Sequence, residues 1–255
     1  MSVEIYGTLG PSCADAATLV RMIGAGMTGI RLNLSHTTLR EAKPYLDAVR
    51  AAERGGVLRS RKSAALPGVE ISLPAMTAQD RENLALAPSC GVTAVMQPFV
   101  RSADDLKAVR AAMNECGGTD IRLFAKIENR RGMDALAELL PHADEIVIAR
   151  GDLGNAVPLW ELPAVQKRIA ARCRENGTPF MVVTQMLASM EHSRVPTRAE
   201  MSDVFNAVLD GAASVMVTGE TAAGETAAGE YPADVIRYLT LAAHAAETFL
   251  KENGI

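Results

Sequence analysis

Short apolar segments typical of β-strands recur along this 255-residue chain at intervals of roughly 30 residues, and segments with helical periodicity separate them. Strands that alternate with helices in this way form a parallel sheet. Eight such repeats predict a sheet closed into a barrel, for which about 250 residues is the usual length. We therefore predict an α/β fold with one domain, a closed (β/α)8 TIM barrel over residues 1–255. The predicted strands are residues 3–8, 29–34, 63–66, 94–98, 122–126, 145–149, 180–184 and 214–218, and the last predicted helix is 232–252.

The charge and hydropathy of the chain argue against two classes of partner. Apolar residues make up 48% of the chain and the net charge is −4, so we expect no broad attraction to nucleic acid or to anionic membranes. A short basic segment at residues 54–62 lacks aromatic side chains and is predicted to be a solvated loop. No apolar run reaches the roughly 18 residues that a transmembrane helix needs.

The cysteines and the N-terminus predict a cytoplasmic protein. Cys13, Cys90, Cys116 and Cys173 are widely spread without a C-x-x-C spacing. This pattern favours reduced core thiols over a disulfide framework or a zinc site. The chain also begins directly with a strand-like segment rather than with a charged and then apolar signal.

Three polar segments carry the chemistry, and each directly follows a predicted strand. They are residues 125–129, 149–154 and 184–187, and they supply Lys126, Glu128, Asp152 and Thr184. Because active sites of α/β barrels form at the carboxyl ends of the strands, we expect these side chains to share one site. Two carboxylates on separate rigid strands suit Mg²⁺ or Mn²⁺ beside a phosphorylated substrate.

Four helix starts are predicted to carry capping boxes, in which a hydroxyl and an acid three residues later satisfy the first backbone N–H groups. Capping accounts for these acids, so we exclude them from the catalytic site. The predicted pairs are Ser12 with Asp15, Thr77 with Asp80, Ser102 with Asp105, and Thr197 with Glu200.

The sequence Gly-Glu-Thr-Ala-Ala occurs twice in succession, at residues 219–223 and 224–228. We expect the first copy to keep register with the preceding strand and the second to lengthen the turn before the last helix. Two interpretations stay open, a surface insertion and a new functional loop.

The order of the motifs resembles the barrel domain of pyruvate kinase. The most specific matches are Arg-Leu-Asn-Leu-Ser-His at residues 31–36, Lys-Ile-Glu-Asn at 126–129, Ala-Arg-Gly-Asp-Leu-Gly at 149–154 and Thr-Gln-Met-Leu at 184–187. Further matches in family order lie at residues 8–11, 25–27, 73–75, 99–101, 189–190, 196–200, 206–211 and 219–222. One such motif alone carries little weight, whereas ten or more in order indicate common ancestry.

The resemblance implies a role for each matching site residue. Glu128 and Asp152 correspond to the family's magnesium ligands. Lys126 corresponds to the lysine that stabilises the transferring phosphoryl group and the enolate oxygen. The backbone of Gly151 and Asp152 corresponds to the binding site of the substrate carboxylate. Thr184 corresponds to the hydroxyl near the methylene carbon of the enolate, where a proton is delivered.

The resemblance also implies a phosphate contact and half of a potassium site. Arg31 corresponds to an arginine that contacts phosphate, and Asn33 and Ser35 correspond to two potassium ligands. The family's remaining potassium ligands are an Asp-Thr pair after the third strand, where this chain has Leu66 and Pro67. The K⁺ requirement is therefore left open.

Other departures concern the substrate pocket. Pyruvate kinases carry a lid domain inserted after the third strand and a regulatory domain after the eighth helix, and we expect neither here. At the position of the lid, residues 68–71 run directly into residues 72–75. Ser72 stands in place of an arginine, Thr218 in place of a serine, and Pro98, which has no N–H, in place of a small residue.

Three functions are compatible with these residues. The first is Mg²⁺-dependent phosphoryl transfer between phosphoenolpyruvate and ADP, giving pyruvate and ATP, although loss of the lid weakens the exclusion of water. The second is Mg²⁺-dependent enolate chemistry on a 2-oxo acid, as in a decarboxylase, aldolase or lyase. The third is a non-catalytic module that binds phosphoenolpyruvate. The sequence leaves the phosphoryl acceptor and the oligomeric state open, and a homo-oligomer is compatible with it.

Overall fold

The computed structural model describes residues 2–34, 37–51, 56–60, 74–222 and 231–254. In these ranges the strands are β1 (Glu4–Leu9), β2 (Gly29–Leu34), β3 (Gly56–Ser60), β4 (Val92–Gln97), β5 (Arg122–Ile127), β6 (Glu145–Ala149), β7 (Phe180–Val183) and β8 (Ser214–Met216). The helices are α1 (Ala16–Gly24), α2 (Lys43–Ala51), α3 (Ala78–Leu86), α4 (Ala103–Glu115), α5 (Arg130–Asp134), α6 (Leu136–Leu139), α7 (Arg150–Ala156), α8 (Leu162–Asn176), α9 (Arg198–Leu209), α10 (Gly219–Ala222) and α11 (Pro232–Asn253).

The chain divides into two compact units, each built on parallel strands. The first unit comprises Met1–Leu32, Asp47–Gly55 and Phe180–Ile255, and the second comprises Asn33–Leu46 and Gly56–Pro179. In the first unit the strand order is β7-β8-β1-β2, and each of these neighbouring pairs is parallel. In the second unit β3, β4, β5 and β6 pair in chain order, also in parallel. The predicted α/β fold with parallel strands is therefore confirmed.

The strands are apolar along their length because both of their faces are buried. Every residue of β6 and of β7 is buried, which is the usual state of a parallel sheet covered by helices. In the first unit α11 packs against α1 and α9, and in the second α8 packs against β6. Gly29 permits a close approach between β1 and β2, because a Cβ atom there would lie 2.3 Å from the ring of Tyr6.

Two of the four predicted capping boxes are present. Thr77 with Asp80 and Thr197 with Glu200 form both reciprocal hydrogen bonds. The prediction for Ser12 is wrong, because Asp15 is itself the N-cap of α1 and accepts from Thr18 N at 2.9 Å.

The predicted box at the start of α4 is also wrong. Ser102 is the N-cap but makes no side-chain capping bond. Asp105 instead accepts from the backbone N and the guanidinium of Arg101, at distances of 2.8 to 3.0 Å. A charge-assisted, two-pronged bond of this kind is stronger than the neutral capping bond with which it competes.

The third strand lies earlier in the chain than expected. The structure has β3 at Gly56–Ser60, within the basic segment that was predicted to be a loop, and that prediction is wrong. The predicted strand at residues 63–66 lies outside the described residues. The basic side chains masked the strand pattern in the sequence.

All four cysteines are free thiols. Burial raises the pKa of Cys13 to about 11 and that of Cys173 to about 12, so both thiols are inert at neutral pH. Within the described ranges, no helix has the length and apolar character needed to cross a membrane.

Candidate active site

The end of β5 places a lysine and a carboxylate on one face. Lys126 lies on β5 and Glu128 follows the last residue of the strand, and a spacing of two directs their side chains to the same side. They are only 6% and 2% exposed. Lys126 Nζ forms an ion pair with Glu128 Oε1. The pair offsets the high energy that either charge would have if it were buried alone.

The second oxygen of Glu128 is held by the backbone of the loop after β4. Phe99 N donates a hydrogen bond to Glu128 Oε2 at 2.9 Å. Phe99 has a φ of +50°, a left-handed conformation that residues other than glycine rarely adopt. A lysine and a backbone N–H therefore fix the two oxygens of Glu128 from different sides.

The second carboxylate lies at the end of the adjacent strand. In the pairing of β5 with β6, Ile127 is opposite Ile148, and continuing that register brings Glu128 level with Ala149. Helix α7 begins one residue later, and Asp152 is in its first turn. The structure thus places Glu128 and Asp152 at neighbouring strand ends of the second unit.

The start of α7 also supplies backbone donors. The first N–H groups of an α-helix point out of its end and stabilise anions. At this start they include those of Gly151 and Asp152, and the N-cap Ala149 makes no side-chain capping bond. Backbone groups of this kind can bind a small anion.

The donor set fits Mg²⁺ or Mn²⁺. Mg²⁺ is commonly bound by one or two carboxylates and completes its octahedral coordination with water and substrate phosphates. Over the described ranges there is no group of three or more His, Cys, Asp or Glu residues that could hold a metal ion. Glu128 and Asp152 therefore suit a cation whose other ligands are water and substrate, rather than a metal enclosed entirely by protein.

In the first unit, Thr184 directly follows β7 and has strained backbone geometry. Its φ is +81°, and that of Gln185 is +55°. A β-branched residue in this region is an outlier, and such strain persists only where the surroundings enforce it. Thr184 is half-buried. The backbone therefore turns sharply at Thr184, directly after the end of β7.

A buried carboxylate holds the loop that contains this turn. Glu220, only 1% exposed, accepts from Leu187 N at 3.3 Å and from Thr218 N at 2.6 Å. It connects the loop after β7 with the turn between β8 and α10. Glu220 therefore stabilises the backbone three residues beyond Thr184.

Arg31 lies on β2, is 6% exposed, and has Nη1 at 3.4 Å from the Thr8 hydroxyl. Thr8 is held in turn by Thr221, whose hydroxyl accepts from Thr8 N and donates to Thr8 O, each at 2.9 Å. The first copy of the tandem repeat thus forms α10 and fixes the end of β1. The second copy lies outside the described residues.

The predicted potassium ligands are only partly described. Asn33 lies on β2 and is partly exposed, whereas Ser35 is outside the described residues, as are Leu66, Pro67 and Ser72. Pro98 is preceded by a buried Gln97, whose Nε2 donates to Ala75 O at 2.6 Å.

Two site residues have roles that the sequence analysis did not assign. Phe99 acts through its backbone N–H, which leaves no side-chain pattern. Glu220 occurs in a motif that was recognised, yet its burial and partners depend on the fold. Its place in the repeated Gly-Glu-Thr-Ala-Ala sequence was the available signal.

Comparison with known proteins supports the assignment of the motifs. The model of the pyruvate kinase barrel domain matches residues 51–236. The pyruvate kinase of Corynebacterium efficiens is 43% identical over 202 residues, which cover 79% of this chain and 41% of the relative. Pyruvate kinase 2 of Saccharomyces cerevisiae is 40% identical over 197 residues, covering 77% and 38%. The enzyme of Geobacillus stearothermophilus is 38% identical over 201 residues, covering 79% and 33%. In these alignments the chain spans between 33% and 41% of the length of the relatives.

Proposed function

The chain belongs to the pyruvate kinase family, and we propose that it catalyses Mg²⁺-dependent phosphoryl transfer between phosphoenolpyruvate and ADP, giving pyruvate and ATP. The observation that carries this proposal is the buried Lys126–Glu128 pair at the end of β5, adjacent to the start of α7. A buried lysine beside carboxylates at adjacent strand ends suits a reaction in which negative charge develops on a metal-bound substrate.

Each residue has a defined task in the proposed reaction. Glu128 and Asp152 would hold Mg²⁺, which when bound offsets charge on the phosphoryl oxygens. The N–H groups of Gly151 and Asp152 bind the substrate carboxylate. Lys126 Nζ stabilises the negative charge that passes to the enolate oxygen when the phosphorus–oxygen bond breaks.

The reaction ends with protonation of the enolate. In the proposed mechanism the Thr184 hydroxyl passes a proton to the methylene carbon and takes one from water in return, converting the enolate to pyruvate. Arg31 binds phosphate, and its burial beside Thr8 limits its freedom. Asn33 and Ser35 contribute to a K⁺ site without the family's Asp-Thr pair, so we expect K⁺ to stimulate the reaction only weakly.

We further propose that the eight strands close into one (β/α)8 barrel without the inserted lid. The parallel order within each unit and the direct junction at residues 68–75 support this arrangement. A site without a lid excludes water poorly. Phosphoenolpyruvate should therefore bind better than ADP, and transfer to ADP should be slow.

A second candidate function is enolate chemistry on a 2-oxo acid without ADP. The direct junction at residues 68–75 favours it, because it has no room for an inserted lid domain while Lys126 and the carboxylates are retained. The same side chains would bind the 2-oxo acid and stabilise its enolate.

One pair of assays distinguishes the candidates. Pyruvate formation is measured from phosphoenolpyruvate with ADP, and separately from oxaloacetate alone, each with and without Mg²⁺. We expect Mg²⁺-dependent turnover of phosphoenolpyruvate that is abolished by Lys126→Met and unchanged by Glu82→Gln, which alters an exposed carboxylate on α3. Turnover of oxaloacetate alone would favour the second candidate. If both activities are absent but phosphoenolpyruvate still binds, the result would favour a non-catalytic binding module.

A further inference from the structure

We propose that Phe99 is a positioning residue for Glu128. Its left-handed backbone directs its N–H at Glu128 Oε2 and so leaves Oε1, which pairs with Lys126 Nζ, as the oxygen that would bind a cation. The inference rests on the proposed function, because it concerns a metal ligand of that site. It assigns a role to a main-chain group 29 residues away from the carboxylate it serves.

The conformation of Phe99 needs an explanation. Over the described ranges, only Phe99, Thr184 and Gln185 have a positive φ without being glycine. Phenylalanine has no local preference for this conformation, since it lacks the short polar side chain that helps Asn or Asp adopt it. Strain of this kind is retained where neighbouring contacts enforce it, and it concentrates at functional sites.

Three contacts around Phe99 enforce the turn. On the preceding side, Gln97 Nε2 donates to Ala75 O at 2.6 Å. On the following side, Arg101 is held by Asp105 through its backbone N and its guanidinium. The chain is therefore anchored on both sides of the strained residue.

The third contact joins the same two loops a second time. Asn129, the neighbour of Glu128, donates from Nδ2 to Val100 O at 3.2 Å, while its Oδ1 accepts from Gly132 N at 2.8 Å. A Cβ atom at Gly132 would lie 2.6 Å from Val100 O, so this approach requires glycine. Phe99 and Val100 in the loop after β4 are thus bonded to Glu128 and Asn129, respectively, at the end of β5.

The geometry restricts the Glu128 carboxylate. A buried carboxylate requires hydrogen-bond donors, and a main-chain N–H differs from a side-chain donor because it cannot rotate away. With Oε2 held by Phe99 N, exchange of Lys126 for a metal at Oε1 needs no reorientation of Glu128. Partners of this type outside the metal's own ligands typically change metal affinity by about 10- to 100-fold when they are removed.

The test measures Mn²⁺ affinity by electron paramagnetic resonance on the full chain, without substrate. Phe99→Pro removes the N–H and confines φ to about −65°, and we expect its Mn²⁺ affinity to fall about 10- to 100-fold. Phe99→Gly keeps the N–H and adopts the positive φ without strain. It should bind Mn²⁺ within about threefold of the parent chain, although it lacks the aromatic ring. Equal losses in both variants would assign the effect to the ring and overturn the proposal.

A double-mutant comparison distinguishes positioning from general damage. If Phe99 acts through Glu128, then Glu128→Gln should cause a smaller loss of Mn²⁺ affinity in the Phe99→Pro chain than in the parent chain. Additive losses would contradict the proposal. If Phe99→Pro does not fold, Asn129→Ser tests the proposal instead. Serine keeps the helix cap but loses the hydrogen bond from Asn129 Nδ2 to Val100 O. We then expect at least a threefold loss of Mn²⁺ affinity, and an unchanged affinity would refute the inference.

Failure of this inference is separable from failure of the proposed function. If Glu128→Gln and Asp152→Asn leave Mn²⁺ affinity unchanged, the metal site itself is wrong. If those variants lose binding while Phe99→Pro retains it, the metal site stands and only the role of Phe99 is wrong.

Discussion

Removal of Lys126 should destabilise the protein far more than removal of a surface lysine. In Lys126→Met the side chain keeps its approximate volume but loses its charge. The partner carboxylate of Glu128 then stays buried, with its side chain only 1% exposed, and without its cation. Breaking a buried pair from one side typically costs about 3–5 kcal/mol. For a chain of this size each kcal/mol lowers the melting temperature by about 2–4 °C, so we expect a decrease of about 6–20 °C.

The double variant Lys126→Met/Glu128→Gln tests the cause of that loss. It removes both charges and retains similar shapes, and replacing a whole buried pair is often close to neutral. We therefore expect it to be more stable than Lys126→Met alone. Lys107→Met is the matched control, because the pair of Lys107 with Asp104 is 56% and 89% exposed and should contribute about 0–1 kcal/mol.

Mg²⁺ provides a second readout. A cation bound at Glu128 replaces the missing lysine charge, and a ligand at 100 times its Kd stabilises the folded state by about 2.7 kcal/mol. Thermal unfolding followed by circular dichroism, with and without Mg²⁺, should show a larger Mg²⁺ effect in Lys126→Met than in the parent chain. A melting temperature of Lys126→Met within about 2 °C of the parent, or a double variant that shows additive losses, would refute the reasoning.

Three further predictions concern the rest of the molecule. Burial raises the pKa of Glu200, but hydrogen bonds from Ser189 and Thr197 outweigh it and leave the pKa below its usual range. Glu200→Gln should therefore cost about 1 kcal/mol near pH 7, and urea titrations should show this difference vanish as the pH falls through the lowered pKa of Glu200. Cys13 and Cys173, whose pKa values burial raises, should react with a thiol reagent at pH 8 only after unfolding; rapid labelling of either in the native protein would contradict this. Thr184→Gly should be at least as stable as the parent, because glycine accepts the φ of +81°. In this variant solvent deuterium should enter the methyl group of pyruvate more slowly than in the parent. A marked drop in melting temperature would exclude strain at this position.

Much of the fold follows from local patterns in the sequence. The alternation of apolar strands and helices predicts parallel pairing, and the structure has it in both units. The caps at Thr77 and Thr197 are equally local, because hydroxyl and acid are three residues apart. Such features depend on neighbours in the chain, so they can be inferred without knowledge of the tertiary structure.

Which groups bond to one another, within a loop or between distant segments, depends on the tertiary structure. Asp105 bonds Arg101 instead of capping its helix, since a stronger donor competes for the same carboxylate. Phe99 N reaches Glu128, and Glu220 reaches Leu187 across 33 residues. Local sequence patterns establish which residues stand at the strand ends. Which backbone groups hold those residues depends on the packed structure. Main-chain N–H groups are chemically alike along the chain, so the role of each depends on the acceptor that the fold brings next to it.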